Sequence, residues 1–279
     1  ARYTTWRVGG PADRLYLPAD LGDLQAFLAR LPMGEPLLFI GLGSNLLVRD
    51  GGVRGTVVAL RNTLTRMERV GERQLAVEAG APCARVARFA ARHDLVGGEF
   101  LAGIPGALGG ALAMNAGAWG GETWARVAEV STIDHRGRIR QRSGTDYRVG
   151  YRRVEGPQGE WFVAARLELE PGDGAVSLTR IKELLERRSA TQPMGAASCG
   201  SVFRNPPGDH AARLIETAGL KGTCRGGARV ADKHANFIVN AGGATARDLE
   251  ALIDQVRETV QRVHGVALIP EVRVIGEAI

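Results

Sequence analysis

The chain has 279 residues, 44% of them hydrophobic and 24% charged, which excludes disordered and collagen-like classes and suits one large domain or two of ordinary size. A formal charge of +6 and a pI near 9.7 invite a nucleic-acid reading. However, 36 basic residues face 30 acidic ones and no block of like charge gathers them, so a basic cleft for a small polyanion fits better. Cys83, Cys199 and Cys224 show no CxxC spacing and no partnering histidine pattern, which points away from disulfides and zinc and towards reduced thiols with no metal site.

The first residues, ARYTTWRVGGPADRLYLP, lack the basic-then-apolar layout of a signal peptide. No apolar run approaches the ~20 residues of a membrane helix, and a cytoplasmic, monomeric protein is expected. Asp20 precedes Leu21, Leu24, Phe27, Leu28 and Leu31, the spacing of a helix with an acidic start. Short apolar runs at 36–40 (PLLFI), 56–60 (TVVAL), 75–79 (LAVEA) and 161–170 (WFVAARLELE) read as strands between glycine-rich turns. Val86, Phe89 and Ala90 mark a second helix. After Pro171–Gly172 the pattern becomes a charged helix at about 177–190, a short strand at 199–204, a helix at 210–218 ended by Gly219, and a strand reading ANFIVN. The clearest helix follows Thr245, sets Leu249, Leu252, Ile253, Val256, Val260 and Val263 on one face, and stops at Gly265.

Two segments concentrate glycine. Gly41-Leu42-Gly43-Ser44-Asn45-Leu46-Leu47 directly follows the PLLFI strand, and such a turn can present successive N–H groups to a phosphate or simply make a tight connection. It is not the dinucleotide fingerprint GxGxxG, because the helix-opening spacing and the acidic ribose ligand are missing. The second runs from Gly103 through Ile104, Pro105, Gly106, Gly109 and Gly110 to Asn115, Gly117 and Ala118. Its small side chains admit either a flat or charged ligand or close helix packing.

The ordered motifs VGGPAD, GLGSNLLV, AGIPGALGGALAMNAGAWGGE, GYR, GSVFRNP, KHANFIVN and PEVRVIG together resemble the UDP-N-acetylenolpyruvoylglucosamine reductase family over essentially the whole chain. The two glycine segments also resemble the wider vanillyl-alcohol-oxidase-like flavoprotein superfamily. The resemblance implies an α+β fold: a two-lobed FAD-binding region over 1–172, with lobes of about 1–60 and 61–172, followed by an α/β substrate-binding domain over 173–279. A return of the last strand, about 266–279, to the flavin region is left open. It implies non-covalent FAD, NADPH as hydride donor, UDP-N-acetylglucosamine enolpyruvate as substrate, and a role in peptidoglycan precursor synthesis. Only about twenty residues separate Arg152 from Pro171, which places the chain with the shorter class of the family.

By the same resemblance, Gly41, Gly43, Ser44, Asn45 and Leu46 form the pyrophosphate loop. Gly103, Ile104, Pro105, Gly106, Gly109, Gly110, Asn115, Gly117 and Ala118 form the second wall of the cofactor site. Arg152 of GYR matches the arginine that stabilises the enolate, Ser201 of GSVF the proton donor, and Glu271 of PEVR the catalytic glutamate. Tyr151, Arg204, Asn205, His234 and Asn236 fall in substrate-contacting segments. Without the resemblance each has a plainer reading: a surface arginine, a turn serine, a strand glutamate, a core histidine. Val154 stands where the family pattern has serine, and Gln192 where some relatives have lysine. Two other functions compete: an oxidase of the same flavoprotein superfamily acting on another substrate, and a non-catalytic module binding nucleotides or nucleic acid, which the pI motivates.

Overall fold

The computed structural model describes residues 1–279, and the chain is α+β with six α-helices among short strands. Two compact units form: one from Ala1–Arg14, Gly43–Gly55 and Ser189–Ile279, the other from Leu15–Leu42 and Thr56–Arg188. No helix is long and apolar enough to cross a membrane.

The unit holding residues 56–188 is built on a five-stranded antiparallel sheet in the order Ile139–Ser143, Val127–Asp134, Glu160–Glu168, Gln74–Glu78, Met67–Val70. The expected strands at 75–79 and 161–170 fall within it. In Gln74–Glu78, Leu75 and Val77 are buried while their neighbours are half-buried, the alternation that period-two side-chain direction requires. Those two side chains meet helix α2 (Cys83–Arg92) through Val86, Ala87 and Ala90, and helix α3 (Leu108–Met114) through Leu108 and Leu112. On a second core, helix α1 (Leu21–Arg30) buries Leu24 and Leu28 against Val58 and Ile133. Its start is the Asp20 carboxylate, which accepts from the Asp23 amide at 2.8 Å, a cap worth about 1 kcal/mol. Strand Leu37–Ile40 runs parallel to Val53–Ala59, with Leu37 opposite Thr56 and Ile40 opposite Ala59. Helix α4 (Gly174–Thr191) begins three residues ahead of the expected position because Asp173 Oδ1 accepts from the amides of Ala175 and Val176.

The other unit has a four-stranded antiparallel sheet ordered Ala197–Ser198, Ile238–Asn240, Ala228–Val230, Cys224–Arg225, and a parallel pair between Leu46–Val48 and Arg273–Ile275. Helices α5 (Ala211–Thr217) and α6 (Ala246–His264) cover its core, and Trp6 is fully buried there, its Nε1 donating to Ile238 O at 2.7 Å. Helix α6 carries both expected termini: Thr245 and Asp248 form a capping box, and Gly265 turns left-handed at φ +69°. The Asp50 carboxylate accepts from the amides of Ala246 and Arg247, both at 3.0 Å, satisfying first-turn donors that would otherwise lack partners. Val263, expected on the buried face, is 49% exposed. It lies in the last turn, beyond the core filled by Leu249, Leu252, Ile253, Val256 and Val260.

The strand expected at 199–204 does not form as a continuous element. Gly200 turns left-handed at φ +82°, which ends the short strand Ala197–Ser198, and beyond it Phe203 makes a single antiparallel bridge to Pro270. Of ANFIVN, only Ile238–Asn240 is strand.

Candidate active site

In the unit holding residues 56–188, the glycine-rich segment is a short 3-10 turn (Glu99–Gly103), helix α3, and a tight hairpin joining Gly117–Ala118 to Gly121–Glu122. Trp119 and Gly120 form its two-residue turn with φ of +50° and +84°, the primed geometry that suits a right-twisted hairpin. Several glycines here serve close packing. A Cβ at Gly103 would lie 2.5 Å from the Trp119 ring, one at Gly109 3.0 Å from Ala79 Cβ, and one at Gly41 3.0 Å from Ala107 Cβ. A Cβ at Gly110 or Gly120 would meet nothing within 4 Å. The segment thus carries bare backbone facing open space beside backbone packed tight, and Ile104 is buried beneath it while Pro105 is exposed.

Asn115 closes helix α3 in the left-handed region at φ +46° and is buried. Its Nδ2 donates to Glu122 Oε2 at 2.9 Å and to Gly150 O at 3.1 Å, and its Oδ1 accepts from the Trp124 amide at 3.1 Å. The residue the resemblance assigns to the cofactor wall is therefore also a structural knot. Arg152 sits at the tip of the hairpin between Arg148–Gly150 and Arg153–Glu155, with φ +54°. It donates to Asn115 O at 3.3 Å and Gly117 O at 3.0 Å, so the glycine segment and the GYR hairpin hold each other in both directions. The exposed Tyr151 ring lies 5.2 Å from the guanidinium carbon, a cation–π contact that steadies the charge.

In the other unit, the turn from Gly43 onward is also tightly packed. A Cβ at Gly43 (φ +64°) would come within 2.1 Å of Tyr3 O, and Thr5 N donates to Gly43 O at 3.2 Å. Ser44 is half-buried, and Leu46 opens the strand paired with Arg273–Ile275. Asn45 Nδ2 donates to Glu271 O at 3.0 Å, and Arg273 N donates to Asn45 O at 3.0 Å.

Ser201 and Glu271 are linked through Val202, the residue after Ser201. Val202 N donates to Asn236 O at 2.9 Å, Val202 O accepts from Glu271 N at 2.8 Å, and Arg204 N donates to Ile269 O at 2.9 Å. The proton-donor candidate and the glutamate, 70 positions apart in the sequence, are thereby tied to the same residue. Cys199 is buried close by, and burial first, then the Glu271 charge, push its thiol well above the usual value. Burial likewise holds the half-buried His234 below the ordinary imidazole value, while its Nδ1 accepts from Asn236 N at 3.3 Å. Asn205 Oδ1 accepts from Ala211 N at 3.1 Å at the start of α5, and Arg204 is half-buried. Sequence reasoning missed Asp50, the docking of Arg49 on Glu250 (shortest approach 2.6 Å) and the amide contacts of Asn236 described below. Their partners lie tens to hundreds of positions away, and no local pattern marks them.

Comparison with known proteins settles the family. A model of the UDP-N-acetylenolpyruvoylglucosamine reductase C-terminal domain matches residues 192–275, and one of an FAD-binding domain matches 12–143. A UDP-N-acetylenolpyruvoylglucosamine reductase of Alkalilimnicola ehrlichii is 63% identical across 100% of this chain and 93% of its own length. One from Methylococcus capsulatus is 62% identical over 100% and 91%. This chain belongs to the UDP-N-acetylenolpyruvoylglucosamine reductase family. The crystal structure of the reductase from Thermus caldophilus superposes with a TM-score of 0.84 at 35% identity, covering 98% of this chain and 95% of that one. The family is one of FAD-dependent oxidoreductases, and this chain's residues fit that cofactor: backbone opens outward at Gly110 and Gly120, where a flat or phosphorylated group can approach without meeting a side chain.

Proposed function

We infer that this chain is an FAD-dependent oxidoreductase that uses NADPH to reduce UDP-N-acetylglucosamine enolpyruvate to UDP-N-acetylmuramate, in the cytoplasm, for peptidoglycan precursor synthesis. The observation that carries the reading is the full-length identity to reductases of that name. The backbone bond from Glu271 N to Val202 O, beside Ser201, supports it.

FAD, when bound, supplies the redox relay, taking hydride from NADPH and giving it to the enolpyruvyl double bond. Gly41, Gly43, Ser44, Asn45 and Leu46, with the wall from Gly103 to Ala118, would hold it mainly through backbone. The chain's own task is charge and proton control. Hydride addition to the β-carbon pushes negative charge onto a group that already bears a carboxylate, and a preorganised cation there lowers the barrier more than it strengthens ground-state binding. Arg152 is suited to this: its guanidinium is held by two carbonyls and a ring, so little reorganisation is needed, and its planar fork matches a carboxylate. Ser201 then protonates the α-carbon, since an enolate is basic enough to take a hydroxyl proton, and Glu271 hydrogen-bonds the enol or helps return that proton. Tyr151, Arg204, Asn205 and His234 contact the UDP-sugar in this reading, whereas Asn236, expected among them, has its buried amide turned to Phe203, and the protein acts as a monomer.

The test is product analysis. Purified protein incubated with FAD, NADPH and UDP-N-acetylglucosamine enolpyruvate should consume NADPH in equal amount to a new nucleotide two hydrogens heavier. NADPH consumption without that product would reject the substrate assignment.

A further inference from the structure

Asn236 differs from the other residues of the KHANFIVN segment in how completely its side chain is used. It is buried, its Oδ1 accepts from Phe203 N at 2.9 Å, and its Nδ2 donates to Phe203 O at 2.8 Å. Its backbone carbonyl takes Val202 N at 2.9 Å. The two residues that follow Ser201 thus have all four backbone polar groups engaged: Val202 N and both groups of Phe203 by Asn236, and Val202 O by Glu271 N. An amide that reads a neighbouring peptide with both its ends acts as a short piece of β-ladder. It does so where Gly200, at φ +82°, has ended the regular strand.

We propose that Asn236 is a positioning residue, setting the Ser201 hydroxyl against Glu271 through the Phe203 peptide. Asn45 completes the arrangement from the other side by donating to Glu271 O. The inference rests on the reaction proposed above. A hydroxyl that protonates carbon must be placed within a few tenths of an ångström, and a displacement of about 1 Å costs on the order of 10²-fold in rate. Both ends of the buried Asn236 amide are turned to Phe203, so in this proposal its influence reaches the nucleotide through Ser201 and Glu271.

Two variants test this, each measured in both half-reactions under anaerobic conditions. Asn236→Leu keeps the branched shape, with a somewhat larger volume, and deletes both bonds. Flavin reduction by NADPH and the Kd for UDP-N-acetylglucosamine enolpyruvate should stay near wild type, while the step that consumes the nucleotide slows by about 10²-fold. Amide hydrogen exchange in the peptide containing Phe203 should accelerate, a readout independent of turnover. Asn236→Asp keeps the acceptor for Phe203 N, but can donate to Phe203 O only when protonated. Its nucleotide-consuming rate should therefore rise as pH falls, along a new ionisation absent from the wild type, whose own titratable groups near this segment are His234, bonded to the Asn236 backbone N–H, with Glu271 and Cys199. A weakened nucleotide Kd with an unchanged consuming step would make Asn236 a substrate ligand and overturn the proposal. Equal loss in both half-reactions would reduce it to a structural residue, and a wild-type pH profile in Asn236→Asp overturns it even if Asn236→Leu fails to fold. Should wild-type protein itself not consume the nucleotide, the failure lies with the reaction and not with Asn236.

Discussion

Replacing Asn115 with alanine removes three hydrogen bonds at once and leaves a β-carbon in the left-handed region, where φ is +46°. Stranding the Trp124 amide and the Gly150 carbonyl costs about 1–3 kcal/mol each where burial keeps water from replacing the lost partner. A non-glycine residue in this region costs about 1–2 kcal/mol, which asparagine offsets by its local hydrogen bonding. The terms span about 3–8 kcal/mol, and because both bonds are only part-buried the low end applies, about 4 kcal/mol, a large part of the roughly 5–15 kcal/mol that stabilises an ordinary fold. At about 2–4 °C per kcal/mol for a chain of this size class, melting should fall by roughly 8–16 °C. Asn115→Gly loses the same bonds but relieves the left-handed strain of about 1–2 kcal/mol, against about 0.4–1 kcal/mol lost to its freer unfolded chain, so it should be the milder change. Urea unfolding followed by circular dichroism reads both variants. A loss below about 1 kcal/mol for Asn115→Ala, or an ordering with glycine worse than alanine, would refute this account of Asn115.

Ser201→Ala should leave flavin reduction by NADPH nearly intact and slow nucleotide reduction by orders of magnitude, and equal losses in the two halves would remove its assignment as the acid. Of the three cysteines, Cys224 is exposed while Cys83 and Cys199 are buried. Burial pushes the Cys83 thiol up to about 12 and Cys199 well above the usual value. Native protein should therefore titrate one thiol with a disulfide reagent at mildly alkaline pH, and denatured protein three; more than one fast thiol in the native state contradicts this. Because burial holds His234 below its unfolded value, the unfolded chain binds the extra proton first. The stability that neutral His234 confers is present above the unfolded value and declines as pH drops below it towards the folded one. His234→Gln should flatten that part of the stability curve in urea titrations across mildly acidic pH, and an unchanged slope would exclude His234 as its source.

Elements that rest on neighbouring residues were legible in the sequence. Asp20 caps α1, and Thr245 and Gly265 bound α6 as expected, because capping is chemistry within four positions. The strands at 56–60, 75–79 and 161–170 also form, with shifted ends. Non-local partners decided the rest. The segment at 199–204 has strand-like composition, but Gly200 turns the backbone and the Asn236 amide replaces a neighbouring strand. In ANFIVN, Asn236 looks like one more polar residue in an apolar run, and only the fold brings it to Phe203. The glycines illustrate both outcomes within one motif: Gly103 and Gly109 are small because Trp119 and Ala79 crowd them, whereas Gly110 faces open space. Sequence cannot sort these, since both demands select the same residue. Ser201 and Glu271 were singled out by resemblance, and their link through Val202 is a property of the folded chain.

The most direct test of the reaction is the visible flavin spectrum of the FAD-loaded protein without oxygen, with NADPH added first and UDP-N-acetylglucosamine enolpyruvate second. Bleaching by NADPH followed by full return of the flavin band on adding the nucleotide is the predicted result. Bleaching that returns only when air is admitted would contradict the proposed substrate, and absence of any bleaching by NADPH would contradict the reductase reading itself.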